Sequence, residues 1–297
     1  MKLLWLGETR GALTDWTTQS WVCATGRKIS LDEMPWLAGP IGKPTGIGRH
    51  FFERYAVESG LEVRRDPPRG LLPSCDLLRG PSFEPDMLHP MVRSFYEETS
   101  QYEMEAWAEW CGAFRPFGGL LAWFFSRRLQ QLNVPLSPLD TSRGTTSDVL
   151  HLVDPVTGRL VHAAWVRQLK RTGHVLYAGC YGVTRVPGYP GQCVQVVFPL
   201  PNGNGIVILK PEIHPTGALT VTSSGRGFGD PGFYFTVQRG GKTYARYVRT
   251  MQESIHVFPG DSDSEVRADH TMQIWGRVFM RLHYRLARKQ LAPIPQP

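Results

Sequence analysis

The sequence predicts an α+β, β-rich fold: a helical N-terminal part, then a curled antiparallel sheet, barrel-like or helix-grip in shape, around an apolar cavity. Two patterns indicate this class. After Ser147, turn signals recur about every ten residues with alternating apolar positions between them, which is typical of consecutive antiparallel strands. Before that point, apolar residues follow Pro90 at steps of three and four, the spacing of an amphipathic helix.

The composition excludes two other classes of protein. The 297-residue chain is 41% hydrophobic and contains nine Trp, ten Tyr and fourteen Phe, so it has the material for a packed core and is not disordered. Five Cys spread over this length do not form a disulfide framework. We therefore expect a globular protein with unpaired cysteines.

Residues 1–86 are predicted to be a Pro-, Gly- and Trp-rich segment that wraps around a body, and residues 87–297 to be that body, as one compact unit. Apolar residues at helical spacing predict a single helix in the first segment, over Gly48–Ser59. Four Trp, at positions 5, 16, 21 and 36, need a surface to pack on, which favours wrapping over a flexible linker.

A helical hairpin is predicted to open the second region. Its first helix is predicted over Pro90–Gly112, with Pro in the first turn and Glu residues on the outer face. Its second helix is predicted to run through Leu120 and Leu132 and to end before Pro135. Glu105 and Glu109 lie on the outer face of the first helix, where solvation explains them better than catalysis.

Beyond Ser147 we predict strands almost throughout, joined by turns such as Asp154–Gly158 and Gly240-Gly241. They are Val149–Val153, Arg159–Leu169, His174–Gly182, Gln192–Leu200, Gly205–Ile213, Ala218–Ser223, Phe233–Gln238, Thr243–Arg249 and Glu253–Phe258.

The last predicted element is one long strand over Thr271–Leu286, with Gly276 as a bend or bulge. Its alternation assigns one set of side chains to the interior: Met272, Ile274, Val278, Met280, Leu282 and Tyr284. The other set faces solvent: Arg277, Arg281 and Arg285. The alternative is a helix that buries Trp275, Phe279, Leu282 and Leu286.

Charge is concentrated in the second half of the chain. Residues 151–297 contain 17 Lys and Arg against eight Asp and Glu, a net +9, whereas the whole chain carries +7. A charged partner is therefore expected to be anionic. Nucleic acid is not expected, because the basic residues are scattered along predicted strands and no recognition module is present.

The N-terminal apolar run of four residues is too short for a signal peptide, which needs about 7–15. The stretch Phe117–Phe125 is too short to span a bilayer. We favour a buried core helix for it and keep contact with a membrane surface open. Unpaired cysteines and the missing export signal predict the cytoplasm.

The chain resembles an uncharacterised bacterial domain family at three sets of residues. They are Leu88-His89-Pro90 with Val92-Arg93, then Trp165-x-Arg167, then Gly276 with Tyr284. The resemblance covers about 210 residues and implies no reaction. The order of helices before a long meander also resembles the START-like and lipocalin-like proteins, which implies hydrophobic-ligand binding.

Four residues are candidate catalytic groups because a carboxylate or His held in an apolar pocket can act as acid or base: Glu212, Glu253, Asp269 and His270. Pairing with nearby Arg on the solvent face is the alternative for each. We predict no metal site and no cofactor, since no ligand spacing or nucleotide-binding motif is present.

Seven residues are candidate ligand-binding groups. Trp165 and Arg167 share a strand face, and an Arg beside an aromatic ring can hold an anionic head group. Loop 225–232 is predicted to lie at the mouth of the barrel. The full set is Trp165, Arg167, Arg226, Phe228, Asp230, Tyr234 and Arg249.

These residues suggest three functions. The first is binding of a hydrophobic, anionic small molecule, lipid-like or polyketide-like. The second is a cofactor-free enzyme, such as a cyclase, isomerase or lyase, in the same cavity. The third is a structural or interaction protein in which the N-terminal Trp residues contact a partner or, in a homo-oligomer, a second copy of the chain.

Overall fold

The computed structural model describes residues 4–7, 9–66, 68–114, 129, 131 and 144–289. Within these ranges the α-helices are α1 Leu13–Thr25, α2 Phe51–Glu58 and α3 Pro90–Glu97. The strands are β1 Arg27–Ile29, β2 Glu62–Arg64, β3 Tyr102–Trp110, β4 Thr145–Val153, β5 Leu160–Leu169, β6 Val175–Thr184, β7 Cys193–Leu200, β8 Gly203–Ile213, β9 Leu219–Thr222, β10 Phe233–Arg239, β11 Lys242–Tyr247, β12 Met251–Pro259, β13 Glu265–Ile274 and β14 Arg277–Arg288.

The strands form an antiparallel sheet in the order β2-β4-β5-β6-β7-β8-β9-β12-β13-β14-β3. It branches at β8, whose first half pairs with β10 and whose second half pairs with β9. Strand β10 continues to β11 and then β1. The predicted α+β, β-rich class is confirmed.

Strands β4 and β3, near the two ends of this order, approach each other, but no β-ladder joins them among the described residues. Thr145 of β4 donates its hydroxyl hydrogen to the Met104 carbonyl of β3, at 2.7 Å. The sheet is thus curled, with an inner face that surrounds a cavity and an outer face.

Each of the nine strands predicted between Val149 and Phe258 is present, with ends shifted by a few residues. The turn between β4 and β5 has the expected chemistry, since Asp154 Oδ1 accepts hydrogen bonds from the backbone N–H groups of Val156 and Thr157. The helix predicted over Gly48–Ser59 corresponds to α2, but the prediction of a single helix in the first 86 residues is wrong, because Leu13–Thr25 forms the longer helix α1.

The long helix predicted over Pro90–Gly112 is wrong. Helix α3 ends at Glu97, and Tyr102–Trp110 is strand β3 on the sheet edge. Tyr102 and Met104 point inward and are buried, while the intervening Glu residues are exposed. Strand β3 pairs with β14, and the Glu residues there meet Arg side chains, Arg285 beside Glu105 at 3.5 Å and Arg281 beside Glu109 at 3.7 Å. The first helix of the predicted hairpin is therefore shortened to Pro90–Glu97, and the rest of its predicted range is mainly strand.

The single strand predicted over Thr271–Leu286 is a hairpin of two strands, β13 and β14. Both turn residues have left-handed backbone, with φ of 50° at Trp275 and 72° at Gly276, so the chain reverses there instead of bending. Arg277, Arg281 and Arg285 are exposed as predicted. Of the six side chains predicted to face inward, Met272, Met280, Leu282 and Tyr284 line the cavity, whereas Ile274 and Val278 do not. A bulge after Met272 places Phe279 there instead of Val278.

The N-terminal segment covers the outer face of β4–β8. Trp36 packs against Phe228 and Tyr234, and Phe51 and Phe52 of α2 join the same buried cluster. Not all of the early Trp residues are buried, because Trp5 and Trp21 are exposed. The inner face of the sheet forms a second cluster together with α3.

The predicted second helix through Leu120 and Leu132 and the apolar stretch Phe117–Phe125 lie outside the described residues. Among the described helices, none is long and apolar enough to cross a membrane.

Candidate functional site

The curled sheet encloses a cavity of about 470 Å³ with mainly apolar walls. Its walls come from the inner face of the sheet, and α1 and α3 each contribute side chains. Members of this lining include Tyr96, Met104, Ala106, Trp165, Arg167, Tyr177, Tyr181, Val196, Phe198, Phe233, Glu253, Ala268, His270, Met272, Phe279 and Tyr284. A volume of several hundred Å³ is in the range of small-molecule sites.

Among the described residues of this lining, Arg167 is the permanent cation, and aromatic rings surround it. Its guanidinium carbon lies 4.5 Å from the ring centroids of both Trp165 and Tyr177 and 5.6 Å from that of Tyr284. Trp165 is itself fixed, because its indole N–H donates to Ser147 Oγ at 2.8 Å. The positive charge of Arg167 is therefore stabilised mainly by contacts with the faces of aromatic rings.

The glycine at position 179 makes room for this arrangement. Strand β6 places Tyr177, Gly179 and Tyr181 on the same inner face, and Gly179 lies opposite Trp165 on β5. A Cβ on Gly179 would lie 2.3 Å from the Tyr177 hydroxyl oxygen. Only a residue without a side chain lets Tyr177 lie across the strand toward Arg167.

The guanidinium keeps unused hydrogen-bonding capacity. Arg167 is 9% exposed, its Nε has no hydrogen-bond partner, and its Nη1 reaches only the Met104 sulfur at 3.7 Å. It forms no ion pair with any described residue. A buried guanidinium without a carboxylate is unfavourable on its own, so the site is suited to an anion.

Two phenols beside Arg167 stay protonated at neutral pH. Burial raises the pKa of Tyr181 to about 12, although the nearby Arg167 charge lowers it in part. Burial also raises the pKa of Tyr177, with Tyr181 beside it as a further cause. Both hydroxyls can thus act as donors as well as acceptors.

Glu253 and His270 meet on the other wall of the cavity. They are diagonal neighbours on the inner face of the β12–β13 pair, with His270 Nε2 and Glu253 Oε2 3.1 Å apart. Their side chains are 14% and 10% exposed. Arg167, Tyr181 and the His–Glu pair all line the same cavity.

The other two candidate catalytic residues lie on the outer face, away from the cavity. Asp269 pairs with His283 of β14, with 2.7 Å between Oδ1 and Nδ1. Glu212 is exposed. Adjacent positions on a strand face opposite ways, which separates Asp269 from His270.

The loop predicted at the barrel mouth belongs to the outer cluster instead. Phe228 packs against Trp36, and the Asp230 carboxylate accepts hydrogen bonds from the N–H groups of Arg226 and Gly227. Tyr234 is fully buried and donates to the Asp230 carbonyl at 2.6 Å. These residues and the exposed Arg249 do not line the cavity, so of the seven ligand candidates only Trp165 and Arg167 do.

Tyr177 and Tyr181 were missed by sequence reasoning as site residues. The signal that could have found them is the alternation Tyr177-x-Gly179-x-Tyr181 within a predicted strand, since it puts two phenols on one face. No group of three metal-ligating side chains is present in the described part of the chain.

The chain is 30% identical over 240 residues to a Bacillus subtilis (strain 168) protein named "Uncharacterized membrane protein YndJ". The matched region covers 80% of this chain and 41% of that relative, so the chain spans about two fifths of the relative's length. This agrees with the predicted resemblance to uncharacterised bacterial proteins. No protein-family model matches the chain, and no solved structure matches it.

Proposed function

We propose that the chain binds a hydrophobic, anionic small molecule, lipid-like or polyketide-like, in the β-lined cavity. The observation that carries this proposal is the buried Arg167, which forms no ion pair with the described residues and lines an apolar cavity. The architecture-level likeness to START-like and lipocalin-like binders is part of the same proposal.

Recognition of the head group depends on Arg167. Its free N–H donors suit a carboxylate or phosphate, and hydrogen bonds in which both partners are charged are the strong ones. The Tyr177 and Tyr181 hydroxyls supply further donors beside it. The apolar part of the ligand would contact the Met, Phe and Val side chains of β7, β13 and β14.

A pair of chain-matched probes tests this proposal. Isothermal titration of delipidated protein with dodecanoate and with dodecanol compares an anionic and a neutral head group on the same tail. We expect dodecanoate to bind at least about tenfold more tightly, as a charged hydrogen bond is worth about 1.5–3 kcal/mol. Equal affinities, or no binding of either probe, would reject the proposal.

The Glu253–His270 pair favours a second candidate, a cofactor-free isomerase in the same cavity. A His within hydrogen-bond reach of a carboxylate can act as a general base. It would take a proton from the carbon beside a carbonyl and return it two carbons further along, while Arg167 and the phenols stabilise the enolate oxygen. The proton and the electron pair stay within the substrate and the His, so no co-reactant is needed.

A long-chain β,γ-unsaturated ketone is a suitable probe for this second candidate. Conversion to the conjugated isomer is followed by ultraviolet absorbance, with His270→Asn as the test variant and Asp269→Asn, on the opposite face, as the control. We expect turnover by the wild type and the control and its loss in His270→Asn. Turnover that survives in His270→Asn would remove the His from the mechanism.

A reducing compartment such as the cytoplasm is the location we propose. All five cysteines are free, and burial raises the pKa of Cys180 and of Cys193 to about 12, so these thiols stay protonated and unreactive.

A further inference from the structure

One end of the molecule presents an exposed tryptophan among exposed arginines. We define this hairpin end by Arg226, Arg249, Trp275 and Arg277. Trp275 is 71% exposed at the tip of the β13–β14 hairpin. A large apolar ring this far from any described core cluster does not contribute to the packing of the described residues.

The backbone conformation at Trp275 is unusual for a tryptophan. Its φ of 50° lies in the left-handed region, which a bulky residue rarely adopts and where Asn-Gly is the preferred pair of a two-residue hairpin turn. The Trp275 N–H donates to the Thr250 carbonyl at 2.9 Å and so ties the hairpin tip to the β11–β12 turn. The indole is thus held outward at a position where its residue type is unfavourable for folding, which points to a role outside folding.

The three arginines are free to bind an external anion. Arg277 directly follows the hairpin turn, and Arg249 is next to Thr250. Arg226 lies in the loop after β9, and this loop is held near the start of β12 because the Ser223 N–H donates to the Glu253 carbonyl. All three are exposed and form no ion pair with the described residues. The arginines further along β14 differ, because Arg281 and Arg285 are matched with Glu residues of β3.

We propose that the hairpin end docks on the surface of an anionic lipid bilayer, with the Trp275 indole at headgroup level and the three arginines on lipid phosphates. Indole rings favour the membrane–water interface, and arginines near an anionic surface are attracted to it. Docking would bring the lipid surface to the end of the cavity where Trp110 and Phe279 are in contact. Bilayer docking goes beyond the proposed ligand binding and does not depend on that binding.

Vesicle co-sedimentation tests the docking directly. The full chain is mixed at low salt with vesicles of phosphatidylglycerol and phosphatidylcholine, or of phosphatidylcholine alone. We expect binding only to the anionic vesicles. Trp275→Asn should lower the affinity for these vesicles roughly tenfold, because apolar burial of the indole is lost. The melting temperature of this variant should be no lower than that of the wild type, because Asn suits the left-handed turn.

The charge contribution needs its own variant and control. Replacing Arg226, Arg249 and Arg277 by Gln should weaken vesicle binding by about 100-fold, at roughly fivefold for each charge. The matched control replaces three exposed cations of other turns, Arg159, Arg239 and Lys242, by Gln and should bind like the wild type.

Three results would overturn the proposal. They are absence of binding to anionic vesicles at low salt, equal losses in the test and control charge variants, and full binding by Trp275→Asn. Binding of single-stranded poly(U) as tight as that of vesicles would assign the hairpin end to nucleic acid and would equally reject the bilayer.

Discussion

Replacing Arg167 by methionine separates ligand recognition from folding. Methionine keeps an unbranched side chain that can contact Met104 and the surrounding rings, but it removes the charge and all N–H donors. The two roles of Arg167 therefore predict two different outcomes, one for stability and one for binding.

The effect on stability should be small because two opposing contributions are of similar size. Three rings at 4.5, 4.5 and 5.6 Å from the guanidinium carbon stabilise the charge. At about 1 kcal/mol for each, this gives about 3 kcal/mol. Burial of an unpaired charge costs several kcal/mol in the opposite direction. We expect the free energy of unfolding without ligand to change by less than about 1.5 kcal/mol.

The effect on binding should be large and confined to the anionic probe. Loss of two charge-assisted hydrogen bonds removes about 3 kcal/mol, which corresponds to a rise of about 100-fold in the dissociation constant of dodecanoate. Dodecanol should bind the variant about as well as the wild type. Urea unfolding and isothermal titration measure the two quantities. Unchanged dodecanoate affinity, or destabilisation above about 3 kcal/mol, would show that Arg167 is structural and refute this reasoning.

Three further predictions concern stability and cavity shape. Burial lowers the pKa of His162 from 6.5 to about 4, so this side chain takes up a proton at higher pH in the unfolded chain than in the folded one. It should therefore lower the free energy of unfolding by up to about 3 kcal/mol as the pH drops from 6.5 to 4 in urea titrations. His162→Phe should remove this contribution and leave those of His151 and His256, whose pKa values burial also lowers. Gly179→Ala should cost about 1–3 kcal/mol in thermal unfolding and abolish dodecanoate binding by displacing Tyr177. Gly182→Ala on the same strand should bind normally, because its Cβ would make only an ordinary contact, 3.6 Å from Gln195 Oε1. Ala268→Phe should fill the cavity and block titration by dodecanoate while the protein stays folded, and unchanged binding would place the ligand elsewhere.

The strand meander could be predicted from sequence because its signals are local. Alternation and turn chemistry, as at Asp154–Gly158, need only neighbouring residues. Strand β3 shows the limit, since Tyr102–Trp110 fits both a helical and a strand period. Its pairing with β14, about 180 residues away by the Glu105–Arg285 contact, decides between them, and no local pattern contains that information.

The site could be predicted only in part for a related reason. Trp165 with Arg167, and His270 with Glu253, were found because chemistry and strand alternation agree. Sequence reasoning could not separate His270 from Asp269, since the register of β13 decides which of two adjacent residues faces inward.

The hairpin tip was misread because Trp-Gly is not a usual signal for a two-residue turn. Gly276 suggested a bend within one strand, and only the pairing of Ile274 with Arg277 shows that the chain reverses. A residue at odds with its backbone conformation is expected at functional positions, and Trp275 fits that expectation.

A crystal structure of the protein with ω-bromododecanoate tests the proposed binding function most directly. The anomalous signal of bromine locates the tail without reference to the protein density. We predict bromine inside the cavity and the carboxylate within hydrogen-bond distance of the Arg167 guanidinium, about 2.7–2.9 Å for a charged pair. Bromine found only on the protein surface, with Arg167 facing water in the cavity, would contradict the proposed function.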